Sequence, residues 1–380
     1  MQNKYEIGVY YFPNFHIDPR NEEVHGPGWN EWELMKRAVP RFPGHRQPLV
    51  PAWGYEDESD PTVMAKKIDA AADHGVTNFI FDWYWYENKP YLHKALENGF
   101  MGAQNNQRIG FSLMWANHDW LHMHPASYYD AKFGTSPMLF HGAVNEAEFN
   151  DLTDYVIDKY FKHPSYWKIN GCPYFSIYSL ADLLKSFGGV AGAAKALETF
   201  RAKTKKAGFP DLHLNSIAFA LPNLPQEYAV KDYADTIKSL NFDSTGSYTW
   251  IHDIPRPDFP TTDYSSIKSQ VIELWKNKLK GSGVSYYPHV TMGWDSSPRT
   301  VQSDTFINMG GGPFTPILSN NTPEAFSEYL QIAKDFMDQE IDFKFLTINA
   351  WNEWTEGSYL EPDTEYGMGY LEAIRDVFVG

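Results

Sequence analysis

Eight short runs rich in β-branched and aromatic residues recur along this chain, with helical patterns between them. The runs are "IGVYYFPNF" (7–15), "TNFIFDWYW" (77–85), "RIGFSLMWAN" (108–117) and "PYFSIYS" (173–179). Four more follow: "LHLNSIAFA" (212–220), "FDSTGSY" (242–248), "SYYPHVTMGW" (285–294) and "FLTINAWNEW" (345–354). Such runs predict strands. Asp60-Pro61 followed by "TVMAKKIDAAADHG" predicts a helix with an N-cap, a first-turn proline and a stop at Gly75. Thr322-Pro323-Glu324 opens another, whose Phe326, Tyr329, Leu330, Ala333 and Phe336 fall at helical spacing. Further helices are expected near 91–105, 145–161, 190–207, 225–239, 264–280 and 368–378.

Strand and helix thus alternate eight times without a Gly/Ser-rich linker or a shift in composition. The expectation is an α/β chain folded as a single (β/α)8 TIM barrel spanning 1–380. An open doubly wound sheet is the competing architecture, but no Gly-rich nucleotide fingerprint follows the first strand. Long loops follow the first, third and seventh runs (16–59, 118–144 and 295–321). Barrel enzymes elaborate their loops at this carboxyl end, where the active site sits.

Charge and cysteine usage narrow the function classes. The net charge is −16 with Lys and Arg scattered, so nucleic acid is not an expected partner and strongly anionic polymers are disfavoured. One cysteine, Cys172, excludes an internal disulfide and a cysteine-based zinc site. No stretch approaches a membrane span, and residues 1–20 lack the pattern of a leader. The chain as given reads as cytoplasmic, or as periplasmic or secreted if a leader has been removed. Sequence does not specify the oligomeric state. Aromatic residues make up 16% and tryptophans number 13, an excess that serves either a dense core or a cleft lined by rings.

The word Trp-Asn-Glu-Trp occurs twice, at 29–32 and 351–354. The second copy closes the eighth strand. Alternation there groups Leu346, Ile348 and Ala350 against the helices and Thr347, Asn349, Trp351 and Glu353 toward the interior. Glu353 then points into the barrel mouth, with Glu356 three positions on, just before Gly357. Paired carboxylates at a barrel mouth match the acid and the base or nucleophile of a glycosidase, and Trp351 and Trp354 would offer faces to a sugar. The competing reading has Glu353 capping a helix or binding an arginine, with Glu356 solvated. The first copy lies in the long loop after strand one, where no strand fixes Glu31. That loop is expected to wall or cover the cleft, with Trp29, Trp32 and Trp53 either touching sugar or packing the loop.

Other strand ends supply further candidates for substrate binding. These are Tyr10, Asp82, Trp83, Tyr84, Trp115, Asn117, Tyr178, Tyr248, His289, Trp294 and Asn349, of which about half are expected to be packing residues. Asp82 stands out as an ionisable group in an aromatic run. The stretch "NHDWLHMH" (117–124) gathers His118, Asp119, His122 and His124, but clustering in a loop is weak support for a metal, and none is expected.

The ending "NAWNEWTEGSYLEP" carries an Asn-Glu-x-x-Glu-Gly pattern, here Asn352, Glu353, Glu356 and Gly357, that resembles glycoside hydrolase family 99, the endo-α-mannosidases. With "GVYYFPNFH", "GWNEWELMKRAVPRFPGHRQPLVPAWGY" and "FDWYWYE", nearly the whole chain resembles the WbsX-like branch, found among polysaccharide genes and named as glycosyltransferases. The resemblance implies a (β/α)8 barrel acting on an oligo- or polysaccharide with α-linked, mannose-like residues, by retaining cleavage without metal or cofactor. It implies that Glu353 takes the proton of the sugar 2-hydroxyl, giving a 1,2-anhydro sugar, and that Glu356 is general acid and then base. In the mannosidase branch a His commonly stands where Thr355 is here, so mannose does not transfer with the catalytic pair. The rival functions are a glycosyltransferase in polysaccharide synthesis, although no Asp-x-Asp motif or phosphate cradle is present, and a carbohydrate-binding barrel without catalysis.

Overall fold

A computed structural model describes residues 4–217 and 232–380. Eight parallel strands form the barrel: β1 (Glu6–Tyr11), β2 (Asn78–Tyr86), β3 (Gly110–Trp115), β4 (Cys172–Ile177), β5 (His213–Ile217), β6 (Ser244–Gly246), β7 in two pieces (Ser285–Tyr286 and His289–Thr291) and β8 (Phe345–Asn349). Neighbours in sequence are neighbours in the sheet from β1 to β6. The first piece of β7 pairs with β6, the second with β8, and β8 pairs with β1, which closes the ring. Pro288 separates the two pieces of β7; it has no N–H to donate, yet its carbonyl still accepts from Thr347 N at 3.0 Å. This is the expected (β/α)8 barrel. The expected strand residues 218–220 and the first part of the helix near 225–239 lie outside the described residues.

Around the sheet run α1 (Pro61–Asp73), the short π-wound α2 (Ala95–Phe100), α3 (Glu146–Val156), α4 (Val190–Lys206), α5 (Tyr233–Ser239), α6 (Lys268–Gly281), α7 (Pro323–Glu340) and α8 (Gly369–Phe378). The start signals behave as the sequence implies. Asp60 accepts from Thr62 N ahead of α1, Thr322 accepts from Ala325 N ahead of α7, and Asn145 and Glu148 form a capping box on α3. α2 is shorter than the span expected near 91–105: Tyr91 belongs to an antiparallel strand, Lys89–Tyr91, on β2, and Leu92 has φ 55°. Among the described residues no helix is long and apolar enough to cross a membrane.

Strict alternation sorts the strand side chains into two cores. Tyr10, Ile80, Met114, Tyr174, Ile217, Tyr287 and Phe345 fill the barrel interior. Val9, Phe79, Phe81, Leu113, Phe175, Val290 and Ile348 face the helices in the larger outer core. The interior also holds a polar belt in which each group has a partner. Asn78 donates to Ser112 (2.9 Å), Ser176 to Asn215 (3.0 Å), Asn215 to Ser244 (3.0 Å), and His289 pairs with Thr347 (3.0 Å). Near the closed end, a Cβ on Gly8 would lie 2.7 Å from the Phe345 ring, so the aromatic plug fits only against a bare backbone. The strand-end carboxylates gather at the opposite, carboxyl end of the barrel.

Candidate active site

A cavity of about 360 Å³ opens there, lined by Asp82, Tyr84, Tyr178, Tyr248, Glu353 and Glu356 from the strand ends and by loop residues including Trp120, His118, His124, Trp294 and Arg299. Its floor is built by the segment that leaves β8. The chain departs through a cis Asn349–Ala350 peptide and a short turn, Trp354–Glu356, and reverses at Gly357 with φ 63°. A Cβ at Gly357 would lie 2.9 Å from Asp295, so glycine is needed both for the backbone angle and for this approach. Asp295 N in turn donates to the Glu356 carbonyl at 2.5 Å, pinning the turn to the loop after β7.

The carboxylates of this turn meet a single guanidinium. Arg299 donates through Nε to Glu31 and to Thr355 Oγ1, each at 3.0 Å, and through Nη1 to Glu356. Its Nη2 lies 3.0 Å from Glu31 and 3.4 Å from Glu353. Glu31 is fully buried and also accepts from Asn14 (2.6 Å) and from the Thr355 hydroxyl. The two copies of Trp-Asn-Glu-Trp are therefore two arms of one site, their glutamates converging on Arg299. Their tryptophans also meet, with the Trp32 and Trp354 rings 6.1 Å apart.

On the other side of Glu353, Oε2 accepts from the Tyr248 hydroxyl (2.8 Å) and from Asn349 (3.1 Å). The same Tyr248 hydroxyl lies 2.8 Å from Asp82. One phenolic proton serves only one of these carboxylates, so the other contact requires a proton on a carboxyl. Burial, and then the charge of Glu353, push Asp82 well above its ordinary value, which puts that proton on Asp82. Neutral Asp82 then donates to Tyr248, and Tyr248 donates to Glu353. Burial and the charge of Glu353 also push Glu356 well up, with Arg299 acting against them. Glu31 shows the opposite balance. Burial would raise it, but Arg299, then His124, and the hydrogen bonds from Thr355 and Asn14 hold it below the usual carboxylate range. One cation among four buried carboxyls leaves the cluster short of positive charge, and protons on Asp82 and Glu356 would reduce the deficit to a single charge.

A protonated Asp82 makes stability depend on pH. The contribution is complete below the unfolded value of 3.8 and is lost as pH rises through the raised folded value. Asparagine keeps an N–H donor toward Tyr248 and does not titrate. Asp82→Asn should therefore gain stability relative to wild type as pH rises from 5 to 8, measured by urea unfolding at both pH values. A difference that stays constant or shrinks would mean that Asp82 is ionised in the fold.

Several sequence expectations need correction, two of them for reasons of strand parity. Since Asp82 and Tyr84 face inward, Trp83 must face outward; it is buried among the helices and donates to Tyr160 (3.2 Å). Trp115 likewise faces outward and packs on Phe149 with centroids 5.7 Å apart. Beyond Asn349 the β8 alternation ends: Ala350 joins the interior core, while Trp351 turns outward onto Phe79. Trp351 and Trp354 are wholly buried and both donate to Glu361, at 2.9 and 2.7 Å, and Trp354 stacks on Tyr359. Glu361 is held at 2.6 Å by Lys67 of α1, so these tryptophans anchor the turn, and neither lines the cavity. Asn117 clamps Ser179 of the next strand end through both amide atoms. Tyr10 and His289 lie beneath the cavity, Tyr10 against Tyr248 at 4.8 Å. Asn349 stays at the site, orienting Glu353.

In the first loop, Trp32 packs on Phe15 and donates to Glu56, Trp29 stacks on His25, and Trp53 sits under Lys66; none lines the cavity. His118 and His124 do line it, and burial lowers His124 to about 4. His122 stacks on His25 instead. Among the described residues no three His, Cys, Asp or Glu side chains converge as a metal ligand set. The sequence reading missed Arg299 and the part played by Glu31; the repeated tetrapeptide was the only signal.

Comparison with known proteins agrees with this architecture. Residues 7–374 match the family described as glycosyltransferase WbsX. The chain is 27% identical over 371 residues to protein WxcX of Xanthomonas campestris pv. campestris, covering 97% of this chain and 48% of that protein. It thus spans about half the length of the curated relatives it matches. Among solved structures it is similar to a GH99 endo-α-mannosidase from Bacteroides thetaiotaomicron, with TM-score 0.59, 15% identity and coverage of 99% and 97% of the two chains. A glycoside hydrolase-like protein aligns with TM-score 0.61 at 13% identity, covering 99% and 94%. With nearly its whole length matched, the chain belongs to the family described as glycosyltransferase WbsX, and its fold is that of the GH99 structure.

Proposed function

We propose that this protein is a retaining glycoside hydrolase acting on α-linked, mannose-like residues of a bacterial-type oligo- or polysaccharide, with residues 1–380 forming one catalytic domain. The observation that carries the reading is the pairing at the cavity floor of Glu353 with a Glu356 whose burial and neighbours favour its protonated form. Both carboxyls pair with the same guanidinium, Glu356 with Nη1 and Glu353 with Nη2 of Arg299. Carboxyls that share one guanidinium favour the close spacing of a retaining enzyme over the roughly 6.5–9.5 Å that admits the water of an inverting one. They suit instead two oxygens on adjacent sugar carbons, the glycosidic oxygen on C1 and the hydroxyl on C2.

The steps then balance as follows. Glu353 removes the 2-hydroxyl proton while that oxygen attacks C1, and Glu356 gives its proton to the departing glycosidic oxygen. Water next attacks C1 and loses its proton to Glu356. The C1–O2 bond opens, and the proton on Glu353 returns to O2. Two inversions give net retention. Tyr248 and Asn349 orient Glu353 for this, and Arg299 holds the two carboxyls in one plane of approach.

The test is an NMR time course on a panel of α-linked oligosaccharides and bacterial polysaccharides. The expected result is release of the retained anomer first, with a 2-deoxy version of the cleaved residue left intact. Early appearance of the inverted anomer, or cleavage of the 2-deoxy glycan at a comparable rate, would sink the anhydro route. The family's name favours one second reading, transfer from a sugar nucleotide. Consumption of a sugar nucleotide with growth of an acceptor glycan would replace hydrolysis as the function.

A further inference from the structure

The cavity has a second cation, and its surroundings differ from those of Arg299. Arg256 lines the same space, but among the described residues it makes no ion pair, and no carboxylate acts on it. Its Nη1 donates to the Pro316 carbonyl at 2.5 Å and to Thr315 Oγ1 at 3.4 Å. Thr315 Oγ1 also accepts from Trp294 Nε1 at 3.1 Å, and the guanidinium lies 6.0 Å from the Trp294 ring. Arginine, threonine and tryptophan are thus locked together on the wall, with the ring and the guanidinium both lining the cavity. Nε is buried without an acceptor, and Nη2 has none among the described residues.

A half-buried guanidinium held in place with donors to spare is an uncompensated charge. Burial alone acts on it and lowers it to about 10, which leaves it fully charged at neutral pH. In this protein the neighbouring site shows the usual arrangement, three glutamates around Arg299. A charge of this kind favours a counter-ion, and among the described residues no side chain supplies one. A tryptophan face beside it offers a platform for a sugar ring.

We propose that Arg256 forms a subsite for an oxyanion carried on the saccharide, a carboxylate, so that the substrate is an acidic glycan containing a hexuronate. The assignment names the substrate class of the reading above and rests on it for the saccharide. The net charge of −16 opposes densely charged polymers, but a single carboxylate inside the cavity is governed by the charge beside it. At physiological ionic strength screening confines the field of distant groups to roughly 8 Å.

The test is calorimetric titration of the Glu356→Gln protein, which holds ligand without turning it over. The probes are α-linked disaccharides of mannuronic, glucuronic and galacturonic acid, each compared with its parent hexose and with the hexose 6-phosphate. At least one uronate should bind roughly tenfold more tightly than its parent, as a charge-assisted hydrogen bond permits. That ratio should fall to about one when Arg256→Gln is added, and Arg256→Lys should restore part of it. The proposal is overturned if no charged probe exceeds its neutral parent, or if the preference survives Arg256→Gln. A larger gain for the phosphate than for the uronate overturns the carboxylate assignment. A uronate preference in a protein that cleaves nothing would leave the subsite standing and remove the hydrolase; cleavage of neutral glycans without any charge preference would do the reverse.

Discussion

A Glu356→Gln protein should fold like wild type yet lose about 10²–10⁴-fold in turnover on natural glycans. Glutamine matches the carboxyl in shape and keeps an oxygen for the Arg299 donor, but it has no proton to give. The loss should be smaller on an aryl glycoside, whose leaving oxygen departs without protonation. The pH profile adds a second reading of the same group. Wild-type activity should fall as pH rises through the raised Glu356 value, since the acid form is the active one, and the variant should lose that limb. Glu353→Gln should be inactive too, and added azide should not generate a glycosyl azide, because the proposed route has no glycosyl–enzyme bond to replace. Steady-state rates on a matched natural and aryl substrate pair decide the matter. Unchanged turnover of the natural glycan by Glu356→Gln would remove this residue as the acid.

The barrel was legible because eight runs of strand-forming residues alternate with capped helices, and those signals are local. The carboxyl pair proposed for catalysis was legible as a strand-end pair for a related reason: a carboxylate at the end of a strand has few places to point. The errors arose where one residue decides a direction. Asp82, Trp83 and Tyr84 were all assigned to the cavity, although adjacent side chains on a strand take opposite faces. Applying that rule would have turned Trp83 and Trp115 outward from sequence alone. Trp351 is a different case, since parity placed it inside and the turn after Asn349 carried it out to Glu361. Arg299 was hidden by distance. It lies in a loop, 268 positions from Glu31 and 57 from Glu356, and no local pattern links them. The competing reading that Glu353 binds an arginine is true of the structure and compatible with catalysis, because the arginine belongs to the site.

Arg299→Met should be inactive and should also lose about 3–5 kcal/mol of stability near pH 8, the usual cost of leaving buried charge without its partner. Methionine fills part of the volume against Phe12 but offers nothing to Glu31, Glu353 or Glu356. Glu31 matters most for the size of the effect. It has no exposure at all, and Arg299 is the first of the groups that overcome its burial. Without the guanidinium, the folded-state pKa values of the three carboxyls rise, so the folded protein binds more protons than the unfolded chain. Stability then falls as pH rises, and the deficit relative to wild type should shrink on going from pH 8 to pH 5 as the carboxyls take up protons. Glu31→Gln is the partner experiment: it removes one of the three carboxyls around Arg299, whose charge then acts more fully on Glu356. The raised Glu356 pKa should come down, shifting the basic limb of the activity profile to lower pH while the fold survives. A structural clamp without influence on the acid would lose stability and leave that limb where it was. Urea unfolding at the two pH values, with pH–rate profiles of Glu31→Gln, separates these outcomes, and an Arg299→Met protein as stable and active as wild type would dismantle the charge cluster as an account of the site.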